Sequence, residues 1–382
     1  MTATPRSAPT AAPQGRAPGE RIHLADFWRG VAILAIFVNH LPPSPLQAWT
    51  TKPHGFSDTA AWFFLISGFV ARLVYGRLAE QRGLGVASLR VAKRMGQLYL
   101  CNLLLATLFI LAALYLSGTG APLPWWADRP AFQLAAHAPL AAAGAAATLA
   151  LNGLGTDILP TYVVVLGLFV LTLQAERRFR VPPLALALIL YLANRGLGPW
   201  LFAGWTFNPL SWQLLFHLGG WLHDHRAQLV SGTGRTTLVL VAAWGMLLFC
   251  AFVRHADALL PMPWAYWVGL LQPERGKAML EWPYLAHSLL TLFAFGLILR
   301  NATIPRFAAL RFLSSLGRKP LPLFTITTGV CYAAYCVQGP TLSAPGALVD
   351  LAIGGLLCLG YNRVSNRRPA PTAAPDRFQT TR

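Results

Sequence analysis

The sequence predicts an all-α fold, a polytopic membrane bundle of about ten transmembrane helices with both termini in the cytoplasm. Hydrophobic residues make up 55% of the 382 residues. Charged residues make up 12%, about half of the fraction that soluble domains carry. Apolar stretches recur along the chain, and 23 of the 31 Lys and Arg residues fall in the segments on one side of them. Basic residues collect in cytoplasmic loops, so the net charge of +18 indicates membrane orientation rather than nucleic-acid binding.

Ten apolar segments are predicted to span the membrane. They cover residues 24–41, 58–76, 97–117, 158–175, 182–194, 208–222, 236–253, 282–299, 320–338 and 346–361. A span needs about 20 residues, so 182–194 and 208–222 are short for one. The Ala-rich segment 138–151 is predicted to be helical, either as an outer-leaflet helix or as a further span.

The composition of the ends sets the domain boundaries. Residues 1–20 are rich in Ala, Pro, Thr and Arg and predict a disordered cytoplasmic tail, and residues 363–382 predict a second, basic one. Residues 21–362 form the predicted membrane domain.

The five cysteines lie in apolar runs without a CxxC pair, so neither a disulfide framework nor a metal site is predicted.

The first predicted helix carries three ionisable residues. Arg29 and His40 are eleven positions apart, which places them on one helix face about 16 Å apart along the axis. Asp26 precedes Arg29 by one turn and can pair with it. Ionisable groups in a membrane helix indicate a functional site by default. In the alternative interpretation, Asp26 and Arg29 snorkel at the interface and His40 only caps the helix.

Polar residues also mark the second predicted span. Ser57 or Asp58 is a natural N-cap for it. Ser67 and Gly68 permit close packing against the first helix. Arg72, one turn later, either faces the bundle or snorkels to the inner surface.

The following inner loop is basic. Arg90, Lys93 and Arg94 could bind a phosphorylated donor or lipid headgroups. Further polar residues lie in the later spans, at Asn208, Gln213, His217 and His287.

The three predicted outer loops are rich in aromatic residues and contain scattered carboxylates. They include Trp125, Trp126 and Asp157 in the first, Trp200 and Trp205 in the second, and Trp264 and Trp267 in the third. This composition suits a carbohydrate surface, and it suits the aromatic belt of a membrane interface equally well.

Five motifs carry a resemblance to a known family. Arg29, ten intervening residues and His40 resemble the Arg-x10-His signature of the membrane acyltransferase-3 superfamily. More narrowly, the chain resembles the OpgC family of glucan succinyltransferases over residues 21–362. The matching stretches are Asp-Phe-Trp-Arg-Gly at 26–30, Gly-Phe-Ser-Asp at 55–58, Asp-Ile-Leu-Pro-Thr-Tyr at 157–162, Phe-Asn-Pro-Leu-Ser-Trp-Gln at 207–213, and His287 in its span.

The resemblance implies an enzyme of the bacterial inner membrane that transfers an acyl group, with succinyl-CoA expected as co-substrate and no bound cofactor or metal. His40 would act as the general base on a glycan hydroxyl, since an imidazole titrates near neutral pH. Asp26 would orient Arg29. Arg29, together with the predicted donor-binding residues Arg90, Lys93 and Arg94, would hold the anionic groups of the acyl-CoA. Supporting or acceptor-side roles are expected for Asp58, Ser67, Arg72, Asp157, Asn208, Gln213 and His287.

Two other functional classes remain open at this stage. A transporter or flippase for a sugar or a lipid-linked sugar would also place polar groups inside spans. A structural or sensory membrane protein would explain the spans but not the Arg29–His40 register. Label passing from acyl-CoA to an outer glycan would separate the acyltransferase from both. The acyl group, the acceptor glycan and the oligomeric state are not specified by the sequence.

Overall fold

The computed structural model describes residues 23–120, 122–153, 155–197, 201–226, 236–256, 276–299 and 308–367. All regular structure in these residues is helical. The helices are α1 (His23–His40), α2 (Thr59–Ala71), α3 (Arg77–Arg82), α4 (Leu84–Gly118), α5 (Pro130–His137), α6 (Pro139–Ala147), α7 (Ile158–Phe179), α8 (Pro183–Gly196), α9 (Pro209–Asp224), α10 (Thr236–Ala256), α11 (Trp282–Leu299), α12 (Ala308–Gly317), α13 (Pro320–Gln338) and α14 (Ala344–Arg367).

The all-α prediction is confirmed, and each of the ten predicted spans coincides with a helix. Five helical segments are long and apolar enough to cross a membrane: Thr59–Arg82, Leu84–Gly118, Ile158–Phe179, Pro320–Gln338 and Ala344–Ser365. Helices α8 and α9, in the two short predicted spans, have 14 and 16 residues. The chain is therefore a helical membrane protein, while the full count of ten spans and the cytoplasmic location of both termini stay predictions.

Helix α1 packs against α2, α12 and α13. Two glycines permit its close approach to α12. A Cβ atom on Gly30 would lie 1.9 Å from the carbonyl oxygen of Leu313, and one on Gly317 would lie 1.6 Å from the carbonyl oxygen of Asp26. Small residues allow helix backbones to approach this closely in membranes, so this contact holds α1 in one register.

The close packing at Gly68 involves α9 rather than the first helix, which corrects the prediction. A Cβ on Gly68 would meet the carbonyl oxygen of Phe216 at 1.8 Å, and one on Gly219 would meet that of Leu65 at 1.9 Å. The two glycines lie on facing helices and form a reciprocal small-residue contact. Sequence spacing identified the small residue but not its partner, because a helix exposes several faces to different neighbours.

Helices α2 and α3 are joined by a π-helical turn at Arg72–Gly76. The wider turn changes the helical phase of the residues that follow. Arg72 pairs with acidic groups on α7 and α9, whereas Val74 and Tyr75 line a cavity. Turns of this type occur frequently at functional sites in helical proteins.

The segment 138–151 is helical as predicted, and α6 has nine residues. That length is too short for a membrane span, so the interpretation as a further span is wrong. Both predicted tails lie mostly outside the described residues. Helix α14 continues to Arg367, past the predicted end of the membrane domain at residue 362.

Candidate functional site

Helix α1 lines two neighbouring cavities. Arg29 lines one of about 120 Å³, and His40 lines another of about 420 Å³. Three apolar side chains line both cavities: Ile36 of α1, Ile158 of α7 and Phe324 of α13. We name these the inner and the outer cavity, after the orientation that the charge distribution predicts. The two cavities therefore adjoin along α1, with apolar side chains between Arg29 and His40.

His40 lines the outer cavity and is bonded through one of its two ring nitrogens. Its Nδ1 lies 2.7 Å from the carbonyl oxygen of Ile36. A carbonyl only accepts hydrogen bonds, so Nδ1 carries the proton and the lone pair lies on Nε2. Nε2 has no hydrogen-bond partner among the described residues. His40 thus caps the helix end, as the alternative interpretation held, and also has the tautomer of a general base. Asp157, Lys52 and Lys277 are near enough to act electrostatically on it.

The inner cavity holds two guanidinium groups in mainly apolar surroundings. Arg29 and Arg94 both line it, together with Ser67, Tyr75 and Tyr162. The Nε atom of Arg29 is buried and has no hydrogen-bond partner. Two adjacent cations with unused donor capacity are suited to an anionic ligand.

Asp26 is buried and lines neither cavity. It acts electrostatically on Arg29, and its backbone faces Gly317 of α12. This placement suits a residue that positions Arg29. It leaves no direct contact with the space where a substrate would lie.

The other predicted donor residues lie away from the cavities. Arg90 and Lys93 are exposed on α4 and line neither cavity.

Arg72 faces the bundle rather than the surface, and its guanidinium binds Glu176 with two hydrogen bonds of 2.6 and 2.9 Å. Its Nε donates to Asp224 at 2.8 Å. Arg72 therefore ties α7 and α9 to the π-helical turn instead of binding a ligand.

The segment Gly-Phe-Ser-Asp at 55–58 packs against helix α11. The imidazole of His287 approaches Gly55 closely, stacks edge-on with Phe56 at 5.8 Å and contacts the hydroxyl of Ser57 through Nδ1 at 2.8 Å. His287 lines neither cavity. It therefore supports the loop that ends at Asp58, and the structure gives it no contact with substrate space.

Substitution of Gly55 by alanine tests this packing. A Cβ at Gly55 would lie 2.2 Å from Cε1 and Nε2 of His287, a clash that should lower the free energy of unfolding by about 1–3 kcal/mol. Thermal unfolding in detergent measures the change. Gly85→Ala is the matched control, since nothing lies within 4 Å of that position. Equal unfolding temperatures for both variants would contradict the account.

Asp58 joins the second helix to a lysine in the outer cavity. Its carboxylate accepts a hydrogen bond from the amide of Ala60 at 2.9 Å, which confirms the N-cap of α2. Lys277 Nζ donates to Oδ2 and Tyr284 OH donates to Oδ1, each at 2.7 Å. The Asp58 carboxylate is therefore paired with one ammonium and held by two further donors, although it is buried.

Four groups fix Lys277. Besides the Asp58 carboxylate, its ammonium lies 4.6 Å from the ring centre of Phe207. Trp212 Nε1 donates to the carbonyl of Lys277 at 2.8 Å, and the amide of Asn208 donates to the carbonyl of Ala278 at 3.0 Å. Lys277 lines the outer cavity with His40. A positive charge is thereby held in the same cavity as the candidate base.

The segment 207–213 supplies these supports. Asn208 lines the outer cavity and caps α9, its Oδ1 accepting from the amide of Leu210 at 3.0 Å. Gln213 is fully buried and donates to the carbonyl of Ala187 at 2.7 Å. His217, with Thr172 at 2.9 Å, is likewise packed between helices. Asn208 thus belongs to the site, while Gln213 and His217 join α9 to its neighbours.

Aromatic residues surround the outer cavity. Trp125, Phe202 and Trp205 line it along with Asp157. Phe202 and Trp205 stack edge-on at 4.9 Å, and the backbone of Phe202 is left-handed with φ of 62°. A non-glycine residue held in this conformation is a common feature of binding sites. Arg129 lies 4.9 Å above the ring of Trp125. Trp200 and most of the third predicted outer loop, including Trp264 and Trp267, lie outside the described residues.

The main site residue that the sequence analysis did not identify is Lys277. Tyr284 and Trp212, which hold Asp58 and Lys277, were missed as well. No local pattern identifies them, because their partners are distant in the chain. In the described part of the chain, no group of three or more His, Cys, Asp and Glu residues is placed to hold a metal ion.

The comparison with protein families decides the assignment. The family model described as OpgC protein matches residues 21–361. The chain belongs to the OpgC family. Membership implies that this OpgC protein is a glucan-modifying acyltransferase. No curated protein and no solved structure matches the chain.

The motifs of this OpgC protein converge on the two cavities. In the segment 157–162, Asp157 lines the outer cavity, Ile158 lines both and Tyr162 lines the inner one. Thr161 donates to the carbonyl of Phe207 at 2.7 Å and so links this segment to the one that holds Lys277. Segments that are far apart in the chain thus line two adjoining cavities.

Proposed function

We propose that the protein transfers a succinyl group from succinyl-CoA, entering at the inner cavity, to a glucan hydroxyl in the outer cavity. The observation that carries the proposal is that Arg29 and His40, on one helix, line two adjoining cavities. This arrangement suits a donor and an acceptor that reach the site from opposite faces of the bacterial inner membrane. The likeness of the Arg29–His40 spacing to the acyltransferase-3 signature agrees with it.

The proposed reaction is a direct acyl transfer. His40 Nε2 accepts the proton of the glucan hydroxyl while the hydroxyl oxygen attacks the carbonyl carbon of the thioester. The new C–O bond forms, the C–S bond breaks, and the CoA sulfur leaves with the proton from His40. The products are a glucan ester and free CoA. No metal or further reactant is needed for the balance.

On the donor side, Arg29 and Arg94 bind anionic and carbonyl groups of CoA. The inner cavity is narrow, about 120 Å³, so it suits the slender arm that bears the thioester, while the nucleotide stays outside near Arg90. Charge-assisted hydrogen bonds favour such a ligand over lipid headgroups that only touch the surface. Asp26 positions Arg29 from behind.

On the acceptor side, the outer cavity offers both aromatic and charged surface. Trp125, Phe202 and Trp205 can stack against the apolar faces of sugar rings, as the aromatic outer loops predict. Lys277 suits the terminal carboxylate of a succinyl group, because its ammonium is fixed in the same cavity as His40. The combination supports a dicarboxylic acyl group and a carbohydrate acceptor.

Substituting Arg94 tests the donor side. Arg94→Gln should raise the KM for succinyl-CoA about 10- to 100-fold, since a hydrogen bond to a charged group contributes about 1.5–3 kcal/mol. Lys93→Gln is the matched control, because Lys93 is exposed on the same helix and lines neither cavity. Steady-state kinetics on purified protein separate KM from kcat. Equal KM values for the two variants would remove Arg94 from the donor site.

The decisive test of the reaction uses inside-out membrane vesicles that contain the protein and enclose glucan. Radiolabelled succinyl-CoA is added outside, and the enclosed glucan is recovered and counted. The proposal expects covalently bound label that a mild ester hydrolysis releases. Uptake of unmodified substrate without labelled glucan would overturn the proposal and favour the transporter or flippase.

A further inference from the structure

A third opening lies apart from both cavities, between helices α4, α13 and α14. It is a groove of about 600 Å³, within the range of ligand pockets. Its lining is almost entirely apolar and includes Leu104 and Leu108 of α4, Gly329 of α13, and Ile353 and Leu357 of α14. Helices α4 and α14 expose many large apolar side chains, among them Leu111, Leu348 and Leu356. The groove therefore faces the hydrocarbon of the bilayer.

One carboxylate interrupts this apolar lining. Asp350 of α14 lines the groove and is only 3% exposed. Gln338 Nε2 donates to its Oδ1 at 2.8 Å, whereas Oδ2 has no hydrogen-bond partner. Ionisable residues inside membrane proteins are costly and are normally paired. A single neutral amide does not compensate the charge of a buried carboxylate, and no described cation forms an ion pair with Asp350.

In the described part of the chain, no such cation lines the groove. None of its lining residues is Lys, Arg or His, and the remaining polar ones are Thr325 and Gln338. Asp350 lies six residues after the start of α14 at Ala344, which is about 9 Å along the axis. It therefore lies near the predicted outer end of the groove, while Ile353 and Leu357 continue the apolar surface toward the inner end.

We propose that this groove binds one phospholipid with a primary ammonium headgroup, phosphatidylethanolamine. The ammonium donates to the carboxylate of Asp350 near the outer end of the groove, and an acyl chain lies along Leu108, Gly329 and Leu357. An ammonium supplies both the charge and the N–H donors that the carboxylate lacks. The proposal does not depend on the reaction proposed above.

The bound lipid would contact α13, one of the three helices with a side chain that lines both cavities. Helix α13 presents Leu321 and Phe324 to the cavities and Thr325, Ile326 and Gly329 to the groove. Lipid occupancy would therefore stabilise the helix that carries Phe324.

Native mass spectrometry of the full-length, delipidated protein tests the proposal. Phosphatidylethanolamine, phosphatidylcholine and phosphatidylglycerol with identical acyl chains are titrated separately. We expect the protein to bind phosphatidylethanolamine with an affinity about tenfold or more above that for either other lipid. Only the phosphatidylethanolamine headgroup combines a positive charge with N–H donors. Asp350→Asn should remove this preference while binding of phosphatidylglycerol is retained. Equal affinity for the three lipids, or a preference that survives Asp350→Asn, would overturn the proposal.

A second variant keeps the test valid should Asp350→Asn fail to fold. Gly329→Leu fills the groove and should weaken binding of all three lipids. Gly355→Leu on α14 is its control, since nothing lies within 4 Å of that glycine and it does not line the groove. Equal lipid binding by these two variants would show that the lipid does not bind in this groove and would overturn the proposal. A change in oligomeric state confined to Gly329→Leu would also overturn the proposal, in favour of a second copy of the chain in the groove.

Discussion

Replacing His40 with alanine is expected to lower the rate of acyl transfer by about 10²- to 10⁴-fold, the contribution typical of a general base. The structure gives the reason in two parts. Nδ1 is bonded to the carbonyl of Ile36, so Nε2 is the basic nitrogen, and His40 lines the outer cavity. No other described histidine lines that cavity. The loss should appear in kcat at saturating succinyl-CoA.

His54→Ala is the matched control for this substitution. His54 lies on the same outer side, where its ring contacts His255 and the carbonyl of Ala48, but it does not line the outer cavity. Both variants should reach wild-type levels in the membrane, and only His40→Ala should lose transfer. Retained transfer by His40→Ala would remove His40 from the mechanism.

Replacing Lys277 with methionine should lower both stability and the preference for succinyl-CoA. Asp58 would keep a buried charge without its cation, which costs about 3–5 kcal/mol in the free energy of unfolding. The carboxylate of the succinyl group would also lose its partner. Thermal unfolding measures the first effect, and the ratio of kcat/KM for succinyl-CoA and acetyl-CoA measures the second.

The double variant Asp58→Asn with Lys277→Met separates these two effects. Asparagine is a good N-cap for α2 and leaves no uncompensated charge, so much of the lost stability should return. The succinyl-to-acetyl ratio should stay about tenfold or more below that of wild type, since the ammonium is still missing. A wild-type ratio in the double variant would show that Lys277 does not bind the acyl carboxylate.

The fold was largely predictable because membrane helices can be recognised in a sequence by their length and apolar composition. Helix α1 is the clearest example. Arg29 and His40 were predicted to share one face of it, and they line adjoining cavities near its two ends. Helix contacts were not predictable in the same way. The small residue at Gly68 was evident, yet its partner Phe216 follows from how α2 and α9 cross.

Only some residues of the two cavities could be predicted from the sequence, and the reason differs between the inner and the outer cavity. Arg94 lines the inner cavity, but Arg90 and Lys93 on the same helix do not. Arg90 shares the face of Arg94 but lies one turn closer to the start of α4, and Lys93 is exposed. Lys277 was missed because its importance arises from Asp58, Phe207 and Trp212, which lie elsewhere in the chain. The π-helical turn that directs Arg72 to Glu176 has no recognisable sequence signal.

The measurement that tests the central claim most directly is mass spectrometry of cell-envelope glucans from three strains. These carry the wild-type protein, the His40→Ala variant or a deletion of the gene, with membrane expression verified by immunoblot. The account predicts a succinyl mass increment on glucan in the wild-type strain and its absence from the other two. Identical glucans in all three strains would contradict it.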